Sequence, residues 1–508
     1  MAIKPRGYAT LCIIAQLHDK TYREAPRASR VDADRPTPYL ERMPPRFETL
    51  PQRRSIIDRR TVADALAALE GDRNTLRNAA TALLKQALDA GRAEIGRRLI
   101  EHPSRGLEAA AGQAFLIDQL LRLLYDFTVQ RLYPMSNPTA AERITIIAVG
   151  GYGRGEMAPY SDVDVGFLTP GKQPPWAEQV IETMLYALWD LGLKVGHSSR
   201  SLDEMVRQAK SDVTIRTALL EARYVWGDQA LYDEAARRFK VEVQADTARQ
   251  FIADKLAERD VRHHKMGDTR YVVEPNVKEA KGGLRDLHTL FWIGKYAYNV
   301  TEPAELVEAG LLSRAEYRQF HRAENFLWAV RCHLHAISGR AEDRLTFDLQ
   351  REIAERMRFA DRPGKSKVER FMQYYFLQAR TAGDLTGVFL AHLDEKFAAR
   401  GRRFGLSVLR RSPRKLNGFT VIRGRLAIPN DGFLAEKPVR LIELFALADK
   451  HGLEIHPLAM RAAARDAKLA DDIRQDPTAN ALFLDVLTSP RDPETVLRWM
   501  NEAGVFGR

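Results

Sequence analysis

The chain has 508 residues, of which 45% are hydrophobic, 29% charged and 8% aromatic, and it carries a formal net charge of +11. At about 150 residues per domain this points to three or four folding units, and it excludes both a single small module and a chain disordered throughout. Two cysteines, Cys12 and Cys332, exclude disulfide-rich and four-cysteine zinc scaffolds, and no run reaches the roughly 18 to 20 apolar residues needed to cross a bilayer. The expectation is a soluble cytoplasmic protein with no membrane partner.

Residues 1–60 hold thirteen Lys or Arg against seven Asp or Glu, together with seven prolines, and read as a basic, Pro-rich tail. Residues 61–99 and 107–132 are rich in Ala and Leu at helical spacing, with Ile117, Leu120, Leu121 and Leu124 on one face, and define an N-terminal helical region over 61–135. From Arg143 the character changes. Ile144 to Val149 is a β-branched run ending in Gly150-Gly151, which predicts a buried strand and a turn, and Val163 to Leu168 predicts a second strand. A helix over 176–191 and a short strand over 193–198 follow. The pattern is helical again over 211–400, broken once by YVVEPNVKEAKGGLRD at 271–286, whose Pro275 and Gly282-Gly283 force an ordered loop. A basic run at 400–415 reads as a solvated linker, with a patch for an anionic partner as the alternative. Beyond it, β-like pieces at 418–428 and 432–434 precede helices to the end.

The chemistry is concentrated in Val149 to Leu168, VGGYGRGEMAPYSDVDVGFL. Gly150, Gly151, Gly153 and Gly155 let the backbone approach a polyphosphate closely, and Arg154 adds a charge-assisted donor. Asp162 and Asp164 stand at i and i+2 at the start of a strand, where alternation puts both on one face. Two carboxylates roughly 6 Å apart repel by about 3 kcal/mol at an effective dielectric near 20, and a divalent cation relieves this. Mg²⁺, with Mn²⁺ as a substitute, suits oxygen ligands completed by substrate phosphates. No helix is expected to open directly after the glycines, so the segment is no dinucleotide fingerprint, and without Gly-Lys-Ser or Gly-Lys-Thr it is no Walker loop. The remaining histidines build no metal site. His333 and His335 lie about 200° apart on a helix, His263 and His264 diverge by about 100°, and only His197 falls on a strand near the carboxylates.

This segment resembles the nucleotidyltransferase superfamily that includes DNA polymerase β, and in detail the uridylyltransferases of the bacterial PII nitrogen-signalling protein. Three further stretches match that family in order: Leu188-Trp189-Asp190-Leu191 with Val195-Gly196-His197-Ser198 and Arg200; Ser211-Asp212 with Glu221-Ala222-Arg223; and Glu274-Pro275-Asn276 with Gly282-Gly283-Leu284-Arg285-Asp286. The match covers about residues 60–508. It implies an α+β fold, a polymerase β-like mixed sheet embedded in a predominantly helical chain. The implied units are a catalytic domain over 136–210, a helical associated domain over 211–400, and a region over 401–508 leading toward a histidine-aspartate hydrolase domain. That hydrolase and two ACT domains follow in the family and do not appear here, so the chain reads as the N-terminal part of a multifunctional enzyme, with uridylyl removal belonging to the full-length protein.

The resemblance implies that Asp162 and Asp164 hold Mg²⁺, that Gly150, Gly151, Gly153, Arg154 and Ser161 bind the nucleotide, and that Lys281 and Arg285 pair with its phosphates. The superfamily's third carboxylate is missing from LKVGHS, leaving Asp203, Glu204, Glu156 and Asp286 as candidates. The implied reaction moves UMP from UTP to a tyrosine of PII and releases pyrophosphate, with glutamine and 2-oxoglutarate governing the intact enzyme. Two alternatives stand beside it: a tRNA nucleotidyltransferase, favoured by the +11 charge and predicting a steep salt dependence, and a non-catalytic regulatory protein of the same fold. Nucleic acid is not the expected partner.

Overall fold

The computed structural model describes residues 45–508 apart from 138, 268–270, 402–414, 423 and 492. Cys12 and nearly all of the second basic run lie outside the described residues. The last part of the predicted tail is packed: Phe47 and Ile56 are buried, and the Phe47 ring meets Phe115 edge-on at 5.8 Å. The sequence hides this because prolines and arginines surround a few apolar anchors.

Helices α1 (Arg59–Ala67) and α2 (Arg73–Glu101) are capped by Asp58 and Asp72, whose carboxylates accept backbone N–H groups of the first turns. They lead into α3 (Gly106–Phe127), which is buried on all sides over most of its length, including the polar residues Gln113, Asp118, Gln119 and Arg122. A helix so enclosed is a central strut, and its polar side chains hold the sheet beside it. Asp118 accepts from the Tyr152 hydroxyl (2.8 Å) and from Arg223 (2.7 and 2.9 Å), while Arg122 donates to the Val225 carbonyl (3.1 Å).

The sheet is formed by β1 (Thr145–Ala148), β2 (Val163–Thr169), β3 (Val195–Ser201) and β4 (Arg223–Gly227), in the order β3-β2-β1-β4. β1 is antiparallel to β2 and β4, and β2 is parallel to β3, with Ala148 opposite Val165 and Asp164 opposite Gly196. The chain therefore has the α+β architecture, a small mixed sheet among helices. A one-turn helix, α4 (Gly150–Gly153), follows β1 directly, which corrects the expectation that no helix opens after the glycines: Gly150 takes φ +59°, and Gly153 and Arg154 donate back to Val149 and Gly150. Strand β4 was also unforeseen. Its five residues lie between α6 (Val213–Leu220, after α5 at Pro175–Asp190) and α7 (Gln229–Arg238), and become a strand by pairing with β1 about 80 residues earlier.

Beyond the sheet come α8 (Ala248–Lys265), α9 (Leu284–Tyr298), α10 (Arg314–Ser338) and α11 (Lys367–Gly401). Cys332, inside α10, is fully buried, and desolvation pushes its thiol up to about 12. The C-terminal part has its own core, centred on Phe419, Leu426, Leu444, Phe445 and Val486, under a second sheet of Lys415–Leu416, Phe419–Ile422, Arg425–Ala427 and Glu454–Ile455. Phe433, expected in a β-like piece, instead starts the short helix Phe433–Glu436, its ring edge-on to Phe419 at 4.9 Å. Among the described residues no helix is long and apolar enough to cross a membrane.

Candidate active site

The sheet topology brings one end of each strand together. Because β1 runs antiparallel to β2, the turn after Ala148 lies beside the start of β2, and the parallel β3 starts there too. Val149 N–H donates to the Asp164 carbonyl (3.0 Å), tying the glycine turn to the acid pair. Asp162 is exposed just before β2, and Asp164 is half-buried within it. Burial, then the neighbouring Asp162 charge, push the Asp164 carboxyl above its ordinary value, while the Lys278 ammonium pulls it down. The Asp162 charge therefore acts on Asp164, as their i, i+2 spacing demands.

The glycines around Asp164 have separate duties. A Cβ on Gly150 would stand 3.4 Å from Asp164 Oδ2, and one on Gly196 only 2.5 Å from Oδ1. Gly196, not among the expected site residues, is the gap in β3 through which the carboxylate fits. A Cβ on Gly151 would lie 3.2 Å from the Glu156 carbonyl, and one on Gly153 2.1 Å from the Glu221 carbonyl. Gly153 is thus required by the close approach of the Glu221 backbone just ahead of β4.

The predicted phosphate cations are engaged elsewhere. The Arg154 side chain is 7% exposed, with Nε on Glu156 (2.9 Å) and Nη1 on Glu221 (2.6 Å). Its Nη2 lies 3.6 Å from where a Gly151 Cβ would be, so the guanidinium packs against the turn as a strut between two buried carboxylates. Lys281 binds Glu502 at 3.0 Å, and Arg285 binds Glu279 at 3.0 Å with its guanidinium over the Trp292 ring. Ser161 closes the loop ahead of Asp162: its hydroxyl accepts from Ala158 N–H (3.1 Å) and its own N–H returns to the Ala158 carbonyl (3.0 Å).

The four candidates for a third carboxylate also have other partners. Glu156 is buried with Arg154, Asp203 binds Arg238 (2.7 Å), Glu204 completes a capping box with Ser201, and Asp286 is enclosed by Arg262, His263 (2.8 Å) and the Gly282 N–H (2.8 Å). Among the described residues no group of three or more His, Cys, Asp or Glu forms a metal cage. His197 faces away from the acid pair. It is opposite Val165, not Asp164, and its ring meets Trp189 of α5 edge-on at 6.0 Å. His333 and His335 diverge on α10 as their spacing requires, toward the Pro103 carbonyl and toward Tyr160 and Asp343.

On the same sheet face as Asp164, an apolar cavity of about 320 Å³ is floored by Ile147 and Leu168 and walled by Met205, Tyr232 and Phe239, with Gln244 at its polar side. Ile147 pairs with Gly166, and Leu168 lies two residues beyond it, so the cavity begins within roughly 7 to 13 Å of the acid pair along β2.

Family models agree with this layout. A nucleotidyltransferase domain matches residues 136–225, a GlnD PII-uridylyltransferase model matches 250–390, and the third domain of uridylyltransferase GlnD matches 419–508. The chain belongs to the PII-uridylyltransferase family. It is 64% identical over 459 residues to a protein of Novosphingobium aromaticivorans named bifunctional uridylyltransferase/uridylyl-removing enzyme, covering 90% of this chain and 50% of that protein. Proteins of the same name from Erythrobacter litoralis and Rhodospirillum rubrum are 59% and 50% identical over 462 and 460 residues, each alignment covering 90% of this chain and 50% and 49% of the respective relative. The chain spans about half the length of the curated relatives it matches.

Proposed function

We propose that this chain transfers a uridylyl group from UTP to a tyrosine of a PII-type signal protein and releases pyrophosphate. The observation that carries the reading is the mutual charge of Asp162 and Asp164 at the sheet end where the Gly150 turn is bonded to Asp164, in a chain of this family. Two carboxylates, one of them held partly out of water, fit a hard divalent cation completed by phosphate oxygens. Asp162 and Asp164 would hold Mg²⁺ or Mn²⁺, and the ion would supply Lewis acidity at the reacting phosphate and toward the acceptor hydroxyl.

The chain's own groups do the rest. The Gly150-Gly151 backbone leaves room for the triphosphate, the Ser161 turn and the His335 contact to Tyr160 fix the segment leading into Asp162, and the apolar cavity gives the nucleoside end a place out of water. The phenol oxygen gives its proton to water and attacks the α-phosphorus in line, the bond from that phosphorus to the bridging oxygen breaks, and pyrophosphate leaves with the electron pair. The test is incubation of the chain with each α-labelled nucleoside triphosphate, Mg²⁺, and either PII or tRNA. Label from UTP on a PII tyrosine, lost in Asp162→Asn, is the expected result. Label on tRNA would establish the RNA reading, and binding without any transfer the regulatory one.

A further inference from the structure

Lys278 differs from the other cations around the site. Its backbone is fixed: Lys278 N–H donates to Asn276 Oδ1 (3.0 Å), its carbonyl accepts from Arg285 N–H (2.9 Å), and the preceding Val277 N–H donates to the Asp343 carbonyl (2.8 Å). Its ammonium is not comparably held. Glu279 Oε1 stands at 3.8 Å, beyond hydrogen-bond distance, and is taken more closely by Arg285, while the Asp343 carboxylate, which also favours the ammonium, is held at 2.7 Å by Arg331. A half-buried ammonium with so loose a counter-ion has donors left to offer.

A chain of contacts carries this loop to the acid pair. The Asp343 carboxylate accepts from Arg331 (2.7 Å) and lies 3.3 Å from His335 Nε2, and His335 Nδ1 accepts from the Tyr160 N–H (3.3 Å), two residues before Asp162. The Nδ1 acceptor role places the ring proton on Nε2, toward Asp343. Around the Lys278 ammonium, Arg331 holds the Asp343 carboxylate (2.7 Å) and Arg285 the Glu279 carboxylate (3.0 Å), so three cations face two carboxylates. The loop that these contacts tie to the acid pair thus carries an excess of positive charge, where a triphosphate would bring its negative charge.

We propose that Lys278 binds the β- and γ-phosphates of the nucleoside triphosphate and stabilises the departing pyrophosphate. As the α-phosphorus bond to the bridging oxygen breaks, the electron pair passes to the β-phosphate, where an ammonium becomes a stronger partner than in the ground state. This role rests on the transferase reading. It makes Lys278, in the family's EPN…GGLRD stretch, the cation that meets substrate, while Lys281 and Arg285 keep the loop folded.

Calorimetry on the full chain with Mg²⁺ and no PII tests it, using UTP, pyrophosphate and UMP as separate probes. Lys278→Gln should bind UTP and pyrophosphate roughly ten- to a hundredfold more weakly, leave UMP unchanged, and melt at the wild-type temperature. Lys278→Arg should recover part of the UTP affinity, and it carries the test if the Gln variant is unstable. Equal UTP and pyrophosphate affinity in wild type and a folded variant overturns the proposal, as does a wild-type chain that binds no triphosphate. Wild-type binding with the Lys278 dependence, but no transfer to PII, sinks the transferase reading and leaves the phosphate site standing.

Discussion

Arg154→Met separates a phosphate ligand from a structural strut. The guanidinium is 7% exposed and bridges Glu156 and Glu221, whose side chains are 1% and 0% exposed, at 2.9 and 2.6 Å. Methionine keeps the length and removes the charge, leaving Glu156 beside His288 at 3.6 Å and Glu221 beside Lys295 at 3.4 Å. Breaking a buried ion pair by removing one partner costs about 3 to 5 kcal/mol, and the surviving partners place this case near the lower figure. For a cooperative unit of 150–250 residues that lowers the melting temperature by about 6 to 12 °C. The sign with pH follows from Glu221, whose carboxyl is held below its ordinary value by Lys295 and Arg154 against the opposing effect of burial. Its stabilisation is present above the unfolded carboxylate pKa and lost as pH falls through the folded one, so the deficit of the variant is largest at neutral pH and shrinks in acid. Adding Glu221→Gln should restore part of the loss. Thermal and urea unfolding decide it, and wild-type melting combined with weakened UTP binding would refute the reasoning.

Asp162→Asn and Asp164→Asn should each lower transfer at least about a hundredfold without lowering the melting temperature, since the pair repels and Asp164 is partly desolvated; a large drop in melting temperature would contradict this. Gly196→Ala puts a methyl 2.5 Å from Asp164 Oδ1, the movable end of a side chain, so the fold should persist while the carboxylate swings aside. Its Mg²⁺ requirement for UTP binding should shift upward, with partial recovery at high Mg²⁺, and a wild-type Mg²⁺ profile would count against the gap assigned to Gly196. His333 is buried against the Pro103 carbonyl and held neutral to about 4, from 6.5 in the unfolded chain. The unfolded state takes up the proton first, so the stabilisation is whole above pH 6.5 and about 3 kcal/mol of it disappears between pH 6.5 and 4. His333→Gln should flatten that stretch of the urea-midpoint profile.

The strands bearing the acid pair were legible because their evidence is local. A β-branched run, a glycine turn and Val-Asp-Val alternation suffice, and the observed Thr145–Ala148 and Val163–Thr169 differ from expectation by one residue at each end they miss. The ion-pair partners of the cations were not legible. A sequence shows the charge on Arg154 but not that Glu221, 67 positions later, answers it, nor that Lys281 meets Glu502 from the far end of the chain. Nor does the sequence show that Glu279, adjacent to Lys278 in the chain, is in space held more closely by Arg285. Gly196 carries no signal of its own, because its need arises only when β3 lies beside Asp164.

The position of β4 in the chain sets a timetable for the birth of the sheet. β1 is an inner strand, yet one of its two edges can be covered only by Arg223–Gly227, which leaves the ribosome roughly sixty residues after Thr169. At about 5 to 20 residues per second the nascent chain carries β1 with one open edge for some 3 to 12 s. During that interval the apolar, unpaired Thr145–Ala148 edge is a template for any stray strand, and Arg223 has not yet arrived to neutralise Asp118 inside α3. Slow codons between the two segments would lengthen this exposure, so the yield of soluble protein should respond to translation speed there more than in the helical stretches that follow.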